Sequence, residues 1–358
     1  MGFPILRIPV VALKVLVDYF NNVELLTVSL LSKRADWFLK ACGKKNVSFF
    51  NLPDSEIKGL CKIAILEFFL LESRRRGKLP YWNFKFCCSV SSDQHIEIRC
   101  THFNLQICFE TLEDIEKFGG IKRNLKIGDF FVPVGVTQEK DEVEKTCTFW
   151  NTKTHGMIVI MDFFKKYLNL PIQKLSFAGE DSRAIRGVVK HINSTHTVVK
   201  NALVCVYPPV SEDDFKYILR NVSVTGEFSS QLTLSRSFKF FEKIRAKNIQ
   251  IRFGHWFTLQ NLLKCNENET IHVRGSKFTA QELRTFLKEW QSYKFPKLTD
   301  VSLTTEESAF DVTKYFKTRG DKCNNTSGRQ VEAIRGPGDS YGAVYSIEGF
   351  FQMSVHNG

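Results

Sequence analysis

The chain has 358 residues, 43% apolar and 25% charged, about twice the usual single-domain length of roughly 150 residues, so a sizeable core can be buried and global disorder is excluded. Phe occurs 32 times against 9 Tyr and 5 Trp, which rests the packing on phenylalanine and excludes fibrous or collagen-like classes. The formal net charge of +12 favours acidic partners: nucleic acid, anionic lipid, or acidic and phosphorylated proteins.

Pro9 suits the first position of a helix, where its missing amide proton is no loss. Val10, Leu13, Val17 and Phe20 then follow on one helical face. Asn21 and Asn22 end this helix and open a second, from about Val23 to Leu31, with Val23, Leu26 and Leu30 on one side. A third short helix carries Trp37 and Phe38. So small a unit cannot bury all its apolar surface within itself, and the remaining face docks either on the chain's next domain or on a partner.

The residues of this segment resemble the F-box motif. Ile8-Pro9 stands for its Leu-Pro opening, Leu16-Val17 for its paired aliphatics, Glu24-Leu25-Leu26 for its Asp-Leu-Leu, and Leu31-Ser-Lys-Arg34 for its Val-Ser-Lys-Arg. The pattern departs after Arg34, where Ala35 replaces the motif's Trp and Trp37 comes two residues later. The resemblance implies that residues 1–45 bind the Skp-type adaptor of a cullin ubiquitin ligase, with Ile8, Pro9, Leu13, Leu16, Leu26 and Leu30 as the contact.

Residues 46–147 read as a linker helix, a β-meander and a loop. The longest apolar stretch, Ile63 to Leu71, is interrupted by Glu67 and falls short of the roughly 18 to 20 residues needed to cross a bilayer. The basic run Arg74 to Arg76 with Lys78 reads as a solvated loop or helix end. Apolar and polar residues alternate over Trp82–Cys87, Gln94–Arg99 and Asn104–Phe109, which predicts three antiparallel strands. The Gly- and charge-rich stretch 119–146 reads as a long loop.

From residue 148 to the end, strand-like pieces recur at Gln173–Phe177, Ala202–Val206, Gln231–Leu234, Ile249–Phe253, Thr270–Val273 and Leu298–Leu303. Between them helices are predicted over Met161–Leu168, Ser211–Leu219, Thr258–Leu263 and Thr279–Trp290. The last has Thr279 and Glu282 as a capping box, and Leu283, Phe286, Leu287 and Trp290 on one face. Such units suggest an irregular leucine-rich-repeat-like α/β solenoid, with an ordinary α/β sandwich as the alternative. The expected fold is therefore α+β to α/β: a small N-terminal three-helix F-box, a short antiparallel β segment, then that solenoid.

Ile249 to Val301, with Trp256-Phe-Thr-Leu259, Ile271-His-Val273 and Phe286-Leu-Lys-Glu-Trp290, resembles the F-box-associated type-two domain of nematode F-box proteins. This implies a substrate-recruiting role for residues 148–358.

The ten cysteines are irregularly spaced, without CxxC, and read as free buried thiols of a reducing compartment, cytoplasmic or nuclear. No HExxH, phosphate loop or GxSxG elbow is present. His191 and His196 read as residues of a polar loop or helix face. No metal, cofactor or catalytic residue is expected. The combined expectation is a non-enzymatic receptor that joins adaptor and cullin to an acidic or phosphorylated target, with no membrane partner. The alternative is a basic nucleic-acid-binding module using Phe238-Lys-Phe-Phe-Glu-Lys-Ile-Arg245, whose Phe residues otherwise face the core, or another protein-interaction module without a ligase role.

Overall fold

The computed structural model describes residues 85–91, 93–99, 104–117, 122–127, 129–136, 146–168, 171–306, 318–324, 330–347 and 349–356. The chain divides into two compact units, one built on Asp93–Leu170 and one on Pro171–Gly358, with Cys87–Ser92 counted with the second.

In the first unit, β2 (His95–Arg99) pairs antiparallel with β3 (Asn104–Thr111), which runs parallel to β6 (Thr146–Trp150). A hairpin of β4 (Lys122–Ile127) and β5 (Phe130–Val136) completes the order β2-β3-β6-β5-β4. The alternation of Ile96 and Ile98, and of Leu125 and Ile127, buries one side of each strand, as period-2 patterning requires. Helix α1 (Lys153–Leu168) lies against β3, β6 and β4, with Met157, Ile160, Met161 and Phe164 buried. Its approach depends on Gly156: a Cβ there would sit 2.3 Å from Trp150 Cδ1.

The second unit is a large mixed sheet. Six strands run parallel in chain order: β7 (Ile172–Phe177), β8 (Val199–Val204), β9 (Glu227–Ser230), β10 (Asn248–Ile251), β11 (Thr270–Phe278) and β12 (Asp300–Thr305). Strand β1 (Lys85–Val90) lies beside β7. Beyond β12 the direction reverses: β16 (Phe350–His356), β15 (Tyr341–Ile347), β14 (Gln330–Arg335) and β13 (Thr318–Asn324) follow, each antiparallel to its neighbour. One register row crosses this sheet through Leu175, Ala202, Phe228, Ile249, Ile271, Val301, Met353 and Val344, all buried.

Helices α2 (Ser182–Ser194), α3 (Glu212–Asn221), α4 (Leu259–Lys264) and α5 (Ala280–Gln291) connect the parallel strands. Helix α5 carries the predicted capping box, with Glu282 N donating to Thr279 Oγ1 at 3.3 Å and Thr279 N to Glu282 Oε2 at 3.0 Å. Leu283, Phe286, Leu287 and Trp290 are its buried face. No helix joins β9 to β10. That connection is irregular and buries Leu232, Leu234, Phe238, Phe240 and Ile244, spaced without a helical period. It is held by polar groups: Asn261 Nδ2 donates to Phe240 O at 2.5 Å, Asn268 Nδ2 to Ala246 O at 2.6 Å, and Ser235 N to Glu212 Oε1 at 2.6 Å. The Ser235 hydrogen bonds hold the Glu212 carboxyl below its usual range.

These findings correct the expected fold. The described residues form mainly mixed β-sheet, with sixteen strands and five α-helices, instead of a short antiparallel segment leading into a leucine-rich-repeat-like α/β solenoid. The physical reason lies in the connections. The charged stretch read as a loop is the β4–β5 hairpin, the β9–β10 connection has no helix, and the last four strands fold back antiparallel on β12. The predicted strand at Gln231–Leu234 lies instead at Glu227–Ser230. The three-helix F-box expected at 1–45, including Ile8, Pro9, Leu13, Leu16, Leu26 and Leu30, lies outside the described residues, as does the basic run at 74–78.

Candidate functional site

Because β-strand side chains alternate, committing one face of the parallel strands to the core leaves a second face of polar residues. Its central row runs Ser176, Leu203, Ser229, Gln250, His272, Ser302 and Gln352 in register. A parallel row two residues earlier carries Lys174 opposite Asn201, Glu227 opposite Asn248, and Thr270 opposite Asp300.

Side chains of the earlier row bind one another and the neighbouring backbone. Asn201 Nδ2 donates to Gln173 O at 3.1 Å, and its Oδ1 accepts from Glu227 N at 2.8 Å. Thr270 Oγ1 donates to Asn248 Oδ1 at 3.0 Å, and Ser354 Oγ to Asp300 Oδ2 at 2.7 Å. Such ladders satisfy polar groups that the sheet half-buries and fix the strand register.

Two grooves open on this face. The larger, of about 420 Å³, is lined by Ser229, Gln250, Arg252, His272, Arg274 and Ser302 among others. The smaller, of about 370 Å³, lies over β7 to β9 and includes Lys174, Asn201 and Glu227. The larger lies over the carboxyl ends of β9 and β10 and the middle of β11. His272 Nε2 is 3.3 Å from Asp300 Oδ1. The lining offers hydroxyl, amide and guanidinium donors, a set suited to holding a polar or anionic group by hydrogen bonds.

Among the described residues, no group of three or more His, Cys, Asp or Glu side chains could hold a metal ion, and no helix is long and apolar enough to cross a membrane. Cys88, Cys108, Cys147 and Cys265 are buried and outside any disulfide, while Cys87 and Cys205 are half-buried. Burial pushes the Cys265 thiol up to about 12 and Cys88 higher still. His191 lies in the last turn of α2, and His196 follows with φ 50 in the turn before β8. The glycine-containing turn at 336–342 packs on Trp290: a Cβ on Gly336 would stand 2.6 Å from Trp290 Cη2. Of the basic-aromatic segment Phe238–Arg245, Phe238, Phe240 and Ile244 are buried, which removes those rings from any stacking role with bases.

Sequence reasoning missed Arg252, His272 and Arg274. A signal was present, since Ile249-Gln-Ile-Arg252 and Ile271-His-Val-Arg274 share one alternation, and the first three residues of each pair in register.

Residues 234–303 match the family described as F-box associated, a span from just after β9 into β12 that includes Arg252, His272, Arg274 and Ser302. The chain is similar to the Skn-1 dependent zygotic transcript 15 protein of Caenorhabditis elegans, at 21% identity over 167 residues. This match covers 45% of this chain and 48% of the relative, so the chain spans about half the length of the relative it matches. No solved structure matches. The segment that supplies most of the larger groove thus matches the F-box associated family.

Proposed function

We propose that the chain is the non-catalytic substrate-recognition subunit of a Skp-cullin-F-box ubiquitin ligase. The observation that carries the reading is the F-box associated domain at 234–303, whose strands present a polar groove on the open face of the second unit. The F-box-like sequence from Ile8-Pro9 to Ser32-Lys-Arg34 supports the adaptor half of the reading. The mechanism is proximity. The N-terminal module binds a Skp-type adaptor and through it the cullin, while the second unit holds a target protein. Tethering raises the effective concentration of the target's lysines at the activated ubiquitin, so two binding surfaces suffice without an active site. Such a subunit works in the cytoplasm or nucleus.

The test is co-purification with adaptor and cullin, comparing the intact chain, a chain lacking residues 1–40, and Leu26→Asp. A buried aspartate at a helix–partner interface costs several kcal/mol, so adaptor capture is expected to fall by about a hundredfold or more. Undiminished capture by both variants refutes the adaptor role.

A further inference from the structure

Ile251 of β10 pairs in parallel register with Val273 of β11, and the residues that follow them, Arg252 and Arg274, both line the larger groove. Both are exposed. Among the described residues no carboxylate lies within ion-pair distance of either guanidinium. Asp300, on β12, accepts at Oδ2 from Ser354 Oγ at 2.7 Å and Gln352 Nε2 at 3.4 Å, and its Oδ1 lies 3.3 Å from His272 Nε2.

The backbone under the pair is held in place. Arg252 N donates to Ser230 O at 2.9 Å, and Gly254 N to Arg274 O at 2.7 Å. After Arg274 the register of β11 against β12 shifts, Gly275 takes φ 71, and its N donates to Thr304 Oγ1 at 3.0 Å. Irregularities of this kind re-aim side chains at sheet rims and next to functional sites.

We propose that Arg252 and Arg274 form the binding site for a single phosphoryl group carried on a partner polypeptide. Two guanidinium forks match the charge and the several oxygens of a tetrahedral dianion, whereas one fork already satisfies a carboxylate. Ser229, Gln250 and Ser302 add neutral donors in the same groove. A polynucleotide is disfavoured, because it needs a basic track for successive phosphates. Here the row two residues earlier carries the carboxylates Glu227 and Asp300. The site rests on the substrate-receptor reading only for the partner being a target polypeptide.

The experiment uses the full chain and three immobilised degenerate peptide libraries, with a fixed central phosphoserine, serine or glutamate. Adaptor capture is scored in parallel. Retention of the phosphoserine library over the other two by about tenfold or more is expected, falling to the serine level in R252A/R274A and partly restored in R252K/R274K. Equal retention of all three libraries overturns the site, as does equal retention of glutamate and phosphoserine, or indifference to R252A/R274A. Displacement of the phosphopeptides by a short single-stranded RNA at equal concentration also overturns it, in favour of nucleic acid. Loss of phosphopeptide selectivity with adaptor capture intact sinks the site alone. The reverse outcome sinks the ligase reading and leaves the site standing. An unchanged far-ultraviolet circular dichroism melt of R252A/R274A separates loss of binding from loss of fold.

Discussion

Removing the carboxylate of Asp214 is expected to loosen α2 from α3. The side chain is 1% exposed and accepts from three donors: Ser182 Oγ, Ser211 Oγ at 2.7 Å and Arg186 Nε at 3.0 Å. Ser182 and Arg186 belong to the first turns of α2, and Ser211 is the N-cap of α3, so one carboxylate ties two helix starts together. Hydrogen bonds to a charged group contribute about 1.5–3 kcal/mol each. Arg186 is half-exposed and can re-solvate, so its share is discounted to below about 1 kcal/mol. Ser211 keeps its capping role, accepting from residue 214 N at 3.1 Å. Asp214→Ala therefore costs about 3–5 kcal/mol, in line with stripping the acceptor from buried donors, while Arg186→Ala costs about 1 kcal/mol or less. A chain of two compact units need not unfold in one transition, so the suitable assay is native-state hydrogen exchange at the amides of α2 and α3. The pH dependence follows. Burial pushes the Asp214 carboxyl up, but the bonds from Ser182, Ser211 and Arg186 outweigh it and hold the folded pKa below the ordinary 3.8. The contribution is thus present above that value and disappears as pH falls through the folded pKa. A change in α2–α3 opening energy below about 1 kcal/mol in Asp214→Ala, or equal effects from Asp214→Ala and Arg186→Ala, refutes the argument.

Two further outcomes are expected. Trp256 is 4% exposed and meets Phe215, Phe238, Phe240 and Phe257 with ring centroids 5.4–6.3 Å apart, so Trp256→Ala costs about 3–5 kcal/mol in urea unfolding while Trp256→Phe costs under about 2 kcal/mol. Cys265, with its pKa pushed up to about 12 by burial, resists iodoacetamide at pH 8 until the unit unfolds, and mass spectrometry of labelled peptides reads this directly. Its neutral thiol also favours the folded state below the ordinary value of 9.0, an advantage lost as pH rises toward 12.

Helix α5 was legible because three independent signals coincide in it: the Thr279 and Glu282 cap, helix-forming residues between, and Leu283, Phe286, Leu287 and Trp290 at helical spacing. Helix α2 was not read as a helix, although Ile185, Val188, Val189 and Ile192 also keep that spacing, since they are β-branched and favour strands locally. Tertiary burial of that face decides the matter. The β4–β5 hairpin was hidden by charge, yet Ile127 pairs with Phe130 across a two-residue Gly-Asp connection, a hairpin signal. The irregular β9–β10 connection has too few periodic residues to announce itself. Its shape depends on Asn261 and Asn268, distant side chains that cap its carbonyls. The groove was missed for a related reason: each arginine is an ordinary exposed residue where it stands, and only the pairing of β10 with β11 brings both to one groove.

That pairing separates recognition from stability in this sheet. The buried row from Leu175 to Val344 supplies packing, and the row containing Asn201, Asn248, Thr270 and Asp300 is tied by hydrogen bonds to neighbouring strands, so a change in either is felt by the fold. Arg252 and Arg274 lie outside both rows, and the Arg252 guanidinium rests 5.6 Å from the centre of the Phe253 ring. Both bring positive charge into one groove without a carboxylate partner among the described residues. Neutralising one of them should leave the sheet as stable as before or slightly more so, while removing anion capture. Two guanidiniums in one groove, within the segment matching the F-box associated family, suit the proposed capture of a phosphoryl group.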